Sequence, residues 1–422
     1  MTITDPGELS QAFTAAMEAA PPGTLGLALS GGGDSTALFA LALDWARKRG
    51  CSLMALTVDH GLRPESAAEA RAVADLCARE GVAHEVRAWQ GWDGSGNLQE
   101  AAREARRSIL GAWARQHGLA AVALGHTADD QAETFLLRLA RGSGVGGLAA
   151  MAACSEGQGF VWLRPLLQVR RATPRAFLRA RGWSWIEDPS NGDPGYDRVK
   201  ARAMLEALAG LGLTVERLVT TARHMADARE VLDAAEVALA GAALRWTALG
   251  EARLDAEALR QAPRGIALQL LADVLTAVAG ASHPPRLEAL DRLAGRVLAA
   301  EEGGTSLHGC ILRLGGAQIV VRREPARVAP PVPARPETVW DGRWLLRAEG
   351  PVPEGATIGA LGLEGLALVE RPAGLAAEPL RTTPAVWQGP RLLAAPCAGH
   401  GAGWSAELVI ADPRRRRILG GR

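Results

Sequence analysis

The feature that most limits what this chain can become is the string LGLALSGGGDSTAL at residues 25–38, where an apolar run enters three glycines and leaves through a helix-forming stretch. A strand, a tight turn and a helix follow from that order. Gly31, Gly32 and Gly33 have no Cβ, so the backbone can turn its N–H groups toward one anion, and the next helix adds its N-terminal dipole. Ser30 and Ser35 add hydroxyl donors, which makes the loop a candidate phosphate cradle. Asp34 stands apart, because a carboxylate beside a polyphosphate repels it unless a cation lies between them. A magnesium ion meets that need. A plainer reading, in which Asp34 and Ser35 cap the helix, stays open. The string has neither the GK[ST] ending of a Walker loop nor the GxGxxG order of a dinucleotide-binding turn.

Between about residues 24 and 141, short apolar runs alternate with longer amphipathic stretches, the pattern of an α/β fold with a parallel sheet and crossover helices. Strands are expected at 24–29, 52–58, 83–88 and 120–124, and helices over 36–49, 64–80, 97–117 and 128–140. Open parallel sheets bind ligands beyond the carboxyl ends of their strands, so the residues there are candidates. Asp59 and His60 follow the second strand, with Arg63 in reach of a phosphate, although a turn into a helix at Pro64 also explains them. Gly125 and His126 follow the fourth strand, and Asp129, Asp130 and Glu133 crowd the next helix. The helix dipole accounts for one or two of these acids, but not for all of these groups at one crevice. Arg138 and Arg141 end that helix, where arginine is stabilising on its own account.

Four hundred and twenty-two residues exceed one compact core, so several domains are expected. Residues 1–213 form the nucleotide-binding domain in this reading. Alanine, leucine and arginine at helical spacing mark a helical domain over 214–323, closed by a β-hairpin at Gly315–Gly316. A proline-rich linker at 324–336 and a small β-rich domain at 337–422 follow. No apolar run is long enough for a membrane helix, and the N-terminus lacks a secretory pattern, so a cytoplasmic chain without a membrane partner is expected. Five scattered cysteines read as buried free thiols. Net charge is +1, yet no acid occurs between Glu156 and Glu187, where Arg164, Arg170, Arg171, Arg175, Arg179 and Arg181 fall. That patch suits nucleic-acid phosphates, while a codon bias toward arginine explains the general excess equally well. A turn-rich polar segment holds Asp188, Tyr196, Arg198 and Arg202.

SGGGDS matches the SGGxDS loop of the N-type ATP pyrophosphatases, the PP-loop superfamily. Four further strings, TVDHGLR (57–63), NLQEAAREAR (97–106), GHTADDQAETFLLRLARGSGVGGLAAM (125–151) and IEDPSNGDPGYDR (186–198), resemble the tRNA(Ile)-lysidine synthetase family in content and order. The likeness covers roughly the first 215 residues strongly, the helical stretch loosely and the tail hardly at all. It implies an enzyme of the adenine nucleotide alpha hydrolase fold that uses ATP and magnesium to adenylate the wobble cytidine of the isoleucine tRNA with a CAU anticodon. Free L-lysine is then joined to C2, and AMP and diphosphate are released. The resemblance makes Asp34, Asp129, Asp130 and Glu133 catalytic, with Asp34 and Asp130 on the metal. It puts Ser30 to Ser35, Asp59, His60, Arg63, Arg103, Gly125 and His126 around ATP. Arg138, Arg141, Arg164, Arg170, Arg171, Asp188, Tyr196, Arg198 and Arg202 fall to the tRNA side. One departure is Val199, where the family has asparagine. Another PP-loop adenylating enzyme, such as a tRNA thiolase, or a non-catalytic RNA-binding protein on the same fold are the alternatives; unpaired cysteines argue against the first and the intact acids against the second. The oligomeric state, a homodimer included, stays open.

Overall fold

Leu25 and Leu27 point from the first strand into one apolar layer and Gly26 into another, where an added Cβ would lie 2.8 Å from both Leu119 and Trp113. This strand is therefore covered on both faces, as a central parallel strand must be. The computed structural model describes residues 2–61, 65–89, 98–157, 159–187, 195–409 and 418. Two units make up the chain, Met1–Glu230 and Val231–Arg422.

The first unit runs α1 (Pro6–Ala16), β1 (Leu25–Ala28), α2 (Gly33–Arg49), β2 (Leu53–Asp59), α3 (Ser66–Glu80), β3 (Ala83–Ala88), α4 (Leu98–Gln116) and β4 (Ala121–Ala123). It continues through α5 (Ala128–Ala140), α6 (Val145–Leu148), β5 (Cys154–Glu156), β6 (Val161–Leu163), α7 (Ala172–Ala180) and α8 (Asp197–Ala209) into α9 (Val215–Ala243), within which the division falls. The sheet has the order β3-β2-β1-β4-β6-β5, parallel except for β5. The four expected strands and their helices are present, displaced by at most a few residues at their ends. Strand order reverses between β1 and β4, and a crevice opens at such a reversal because the loops leave in opposite directions.

The second unit holds β7 (Leu244–Trp246), β8 (Ala252–Asp255), α10 (Ala256–Gln261), α11 (Arg264–Ala279), α12 (Leu287–Leu298), β9 (Gly303–Leu307), β10 (Cys310–Gly315) and β11 (Gln318–Arg323). The expected hairpin is β10–β11, with Gly315 opposite Gln318, but it belongs to a five-stranded antiparallel sheet of order β7-β8-β11-β10-β9. Leu270 and Val274 of α11 and Leu293 of α12 share a core with Leu312 and Val321 of that sheet. The remaining strands are β12 (Val332–Pro333), β13 (Glu337–Trp340), β14 (Trp344–Ala348), β15 (Ala356–Ala360), β16 (Pro384–Gln388), β17 (Arg391–Ala394) and β18 (Trp404–Leu408). They form two antiparallel sheets, β12-β15-β16-β17 and β13-β14-β18. All five cysteines are free thiols; Cys77 and Cys310 are buried as expected, whereas Cys154 is exposed. No helix among the described residues is long and apolar enough to cross a membrane.

Candidate active site

The glycine loop closes on itself before it meets any ligand. Gly31 has φ +82°, and a Cβ there would stand 2.5 Å from Ile186 Cδ1 and 2.9 Å from Val73 Cγ2. The Ile186 amide donates to Gly31 O at 2.9 Å, so residue 186 pins the loop from outside. Ser35 Oγ donates to Gly32 O at 2.9 Å and lies 3.1 Å from Ser30 Oγ, so the two hydroxyls tie the loop together. Gly33 is walled by Arg175 and Trp185, each 3.3 Å from where its Cβ would be. On the other side, a Cβ on Gly125 would lie 3.1 Å from Asp34 O and from Ser35 N. Only glycine lets the β4 loop press this closely on the β1 loop.

Across that contact lie the acids of α5. Thr127 caps the helix, and its N–H and Oγ1–H both donate to Asp130 Oδ2 at 2.8 Å, a capping box that uses up this oxygen. Asp130 Oδ1 accepts from Arg171 Nη2 at 2.9 Å and has Arg198 Nη1 at 3.5 Å. Asp129 accepts from Arg170 Nε at 3.2 Å, Arg170 Nη2 at 3.3 Å and the Arg171 amide at 2.7 Å. Arg170 also pairs with Glu216. The Glu133 side chain is 1% exposed, and its Oε1 accepts from Arg202 Nε at 2.7 Å and pairs with Arg171 Nη1 at 3.0 Å. Asp34 Oδ2 sits 3.6 Å from Arg171 Nε.

Two carboxylate oxygens are left over. Asp34 Oδ1 and Glu133 Oε2 are buried and have no hydrogen-bond partner among the described residues. Burial, reinforced by the neighbouring Asp130 and opposed by Arg171 and Arg175, pushes the Asp34 carboxyl up to about 7. Burial also disfavours charge on Asp130, but Arg171, His126, Arg198 and the Thr127 amide outweigh it and hold that carboxyl below its ordinary value. Half-buried His126 has its pKa lowered to about 4 by burial, against Asp130 and with help from Arg164, Arg198 and Arg103. Its imidazole is therefore neutral near pH 7 and lies among cations, as suits a polyanion site.

Against known proteins, the PP-loop domain model matches residues 7–208. The tRNA(Ile)-lysidine synthase of Ruegeria pomeroyi is 43% identical over 407 residues, covering 96% of each chain. This chain belongs to the tRNA(Ile)-lysidine synthase family. The Methylobacterium nodulans member is 42% identical over 318 residues, 73% of this chain and 93% of its own. That of Hyphomonas neptunium is 39% identical over 344 residues, 78% and 90% respectively.

As a tRNA(Ile)-lysidine synthase family member, the chain brings Ser30 to Ser35, Gly125, His126, Asp129, Asp130, Glu133, Arg170, Arg171, Arg198 and Arg202 to one crevice. Asp130, expected on a metal, uses Oδ2 to cap α5 and accepts from Arg171 on Oδ1. Arg170 and Arg171, expected on tRNA phosphates, pair with the α5 acids Asp129 and Asp130. Arg138 Nη1 donates to Gly147 O at 2.8 Å and Ala150 O at 2.9 Å, holding the turn after α5. Arg141 is exposed, with Asp197 at 3.6 Å, Arg164 donates to Ala152 O at 2.8 Å, and Tyr196 is the N-cap residue of α8. Asp59 Oδ1 accepts from the Gly61 amide at 2.8 Å. His60 packs edge-on to Trp89 and accepts from Arg106 Nε at 3.3 Å, so its proton is on Nδ1, a buried donor without a partner among the described residues. Burial and then Arg106 lower His60 to about 4, over the opposing Asp59. Arg63 and Asp188 lie outside the described residues.

Sequence reasoning missed Glu216, and placed Arg175 only in the basic patch and Ile186 only at the head of a family-like string. A usable signal existed for the arginine pairs: buried acids demand cations, and the acid-free run 157–186 supplies them. Among the described residues no three His, Cys, Asp or Glu side chains gather as a metal cage. A magnesium ion still fits, because it is commonly held by one or two carboxylates with substrate phosphates and water, and Asp34 Oδ1 is one such open oxygen.

Proposed function

We propose that the chain joins the ε-amine of free L-lysine to C2 of the wobble cytidine of the CAU-anticodon isoleucine tRNA, using ATP as substrate, in the cytoplasm. The observation that carries this reading is the pair of unpartnered buried oxygens, Asp34 Oδ1 on the glycine loop and Glu133 Oε2 on α5, at the sheet's switch point. One faces the polyphosphate side and the other offers a cation-binding oxygen to an amine. ATP phosphates rest on the loop amides and the N-terminus of α2. A magnesium ion at Asp34 would supply charge neutralisation on those phosphates.

Cytosine O2 attacks the α-phosphorus, the bond to the β-phosphate oxygen breaks, and pyrophosphate leaves with the electron pair. C2 then carries a good leaving group. Glu133 orients the lysine ammonium through Oε2 and accepts a proton from it, since the free amine, whose reference pKa is about 10.4, is the nucleophile. The amine attacks C2, the C2–O bond breaks, and AMP departs with that oxygen. Arg103, Arg164 and Arg198 around His126 give the polyanions a basic approach.

The test is incorporation of labelled lysine into an unmodified CAU-anticodon isoleucine tRNA transcript with ATP and magnesium, followed by mild alkali. Alkali-stable label is expected, because a C–N bond to the base survives where an ester does not. AMP release without stable label would replace lysine with another nucleophile, and the absence of both signals would overturn the reading.

A further inference from the structure

We propose that Arg171 is the positioning residue of this crevice, a single guanidinium that sets the spacing between the acid on the glycine loop and the acids on α5. The proposal rests on the reading above only for the names of its two half-reactions. One residue touches all four acids. Its Nε is 3.6 Å from Asp34 Oδ2, its Nη2 donates to Asp130 Oδ1 at 2.9 Å, its Nη1 is 3.0 Å from Glu133 Oε1, and its amide donates to Asp129 Oδ2 at 2.7 Å. Each side-chain contact uses a different nitrogen, so the three carboxylates are held apart by the dimensions of the planar fork.

The contacts leave a pattern. On Asp34 and on Glu133 the fork takes one oxygen, and in both residues the opposite oxygen is the unpartnered one. Arg171 therefore fixes which way two open oxygens face without occupying them. The two residues before it are independently anchored: the Ala128 amide donates to Val169 O at 2.9 Å and the Arg170 amide to Ile3 O at 3.0 Å. Removing the side chain need not move the segment. Arg170 cannot substitute, because its guanidinium is directed to Asp129 and Glu216. Lysine cannot either, since its three donors radiate from one atom and cannot span carboxylates on two separate elements.

The experiment compares Arg171→Lys and Arg171→Ala with the wild-type chain in tRNA-dependent AMP release and in alkali-stable lysine incorporation. Both variants are expected to lose about 100-fold or more in kcat, the scale of an ångström-sized misplacement, and to raise the KM for lysine about tenfold, with the KM for ATP changed less than about threefold. Added methylguanidinium should restore Arg171→Ala saturably, while methylammonium at the same concentration should not. Lysine keeping more than a third of the wild-type kcat, or equal rescue by both cations, would overturn the proposal. So would a variant whose only change is a lower fraction of folded enzyme, with both KM values unaltered. Should Arg171→Ala not fold, Arg171→Lys and its thermal midpoint carry the test. If the wild-type chain releases AMP but never fixes lysine, the lysidine reading falls while the AMP arm still decides the role of Arg171.

Discussion

The carboxylates buried against arginines at Asp341 and in the first unit's crevice differ in what is left unsatisfied. In the second unit, Asp341 Oδ1 accepts from Arg323 Nη2 at 2.8 Å and the Ala329 amide at 2.9 Å, and Oδ2 from Arg323 Nε at 3.0 Å and Arg343 Nε at 2.9 Å. Arg343, with a side chain 1% exposed, gives its other donors to Thr382 O at 3.0 Å and Gly250 O at 3.4 Å. Both oxygens of Asp341 are used. In the crevice of the first unit, Asp34 and Glu133 each keep one buried oxygen without a partner among the described residues. Even the glycines correspond: a Cβ on Gly280 would stand 1.9 Å from Asp341 O, as one on Gly125 would crowd Asp34 O. A buried polar group without a partner is destabilising, so it persists where a ligand completes it. Asp341 is satisfied within the fold, whereas Asp34 and Glu133 each keep an oxygen open to a ligand.

The largest effect that sharpens this contrast is expected at Asp34. Asp34→Asn should lower tRNA-dependent AMP release about 1,000-fold or more, as loss of a charge-stabilising group at a phosphoryl centre does. The same change should stabilise the ligand-free protein above pH 7. Unfolded, this carboxyl ionises near 3.8, whereas in the fold burial and Asp130 hold its proton to about 7. Ionised Asp34 thus destabilises the fold progressively from about pH 4 to pH 7 and in full above it, by at most about 4 kcal/mol. Thermal unfolding of the variant should rise by several degrees at pH 8 and match wild type at pH 4. No gain at pH 8 would break the contrast. Asp341→Ala should do the reverse, lowering stability by about 3–5 kcal/mol because two buried guanidiniums lose their counter-charge. Its φ of +51°, which alanine tolerates poorly, adds to that. Calorimetry reads the difference.

How much of this was legible in the sequence follows from the range of each interaction. β1 to β4 and α2 to α5 were readable because periodicity and the glycine loop are local signals. The chemistry on one side of the crevice was readable for the same reason, since Ser30 to Ser35 and Gly125 to Glu133 are contiguous strings. Arg171 was readable as a basic-patch residue on the tRNA side but not as the partner of the acids, because those lie about 40 residues away or more and no local rule joins Arg171 to Asp130. β7, β8 and β9 were missed inside a stretch read as helical, as three to five residues carry too little alternation. The proline-rich segment 324–336 contributes an edge strand, Val332 opposite Ile358 and Pro333 opposite Thr357, a position where a missing N–H is tolerated.

The smallest effect concerns the contact between the two crevice loops. Gly125→Ala would place a Cβ 3.1 Å from Asp34 O and Ser35 N, and both are backbone atoms that no rotamer change can move aside. The β4 loop and the glycine loop must then separate by a few tenths of an ångström. Because the cradle and the α5 acids act on one substrate pair, that separation should lower kcat about tenfold, while stability changes by about 1 kcal/mol. Single-turnover AMP release and thermal unfolding measure the two together. A loss of several kcal/mol with unchanged kcat would mean that the loop contact serves the fold, as the Gly280 contact serves Asp341, and would erase the distinction between the two centres.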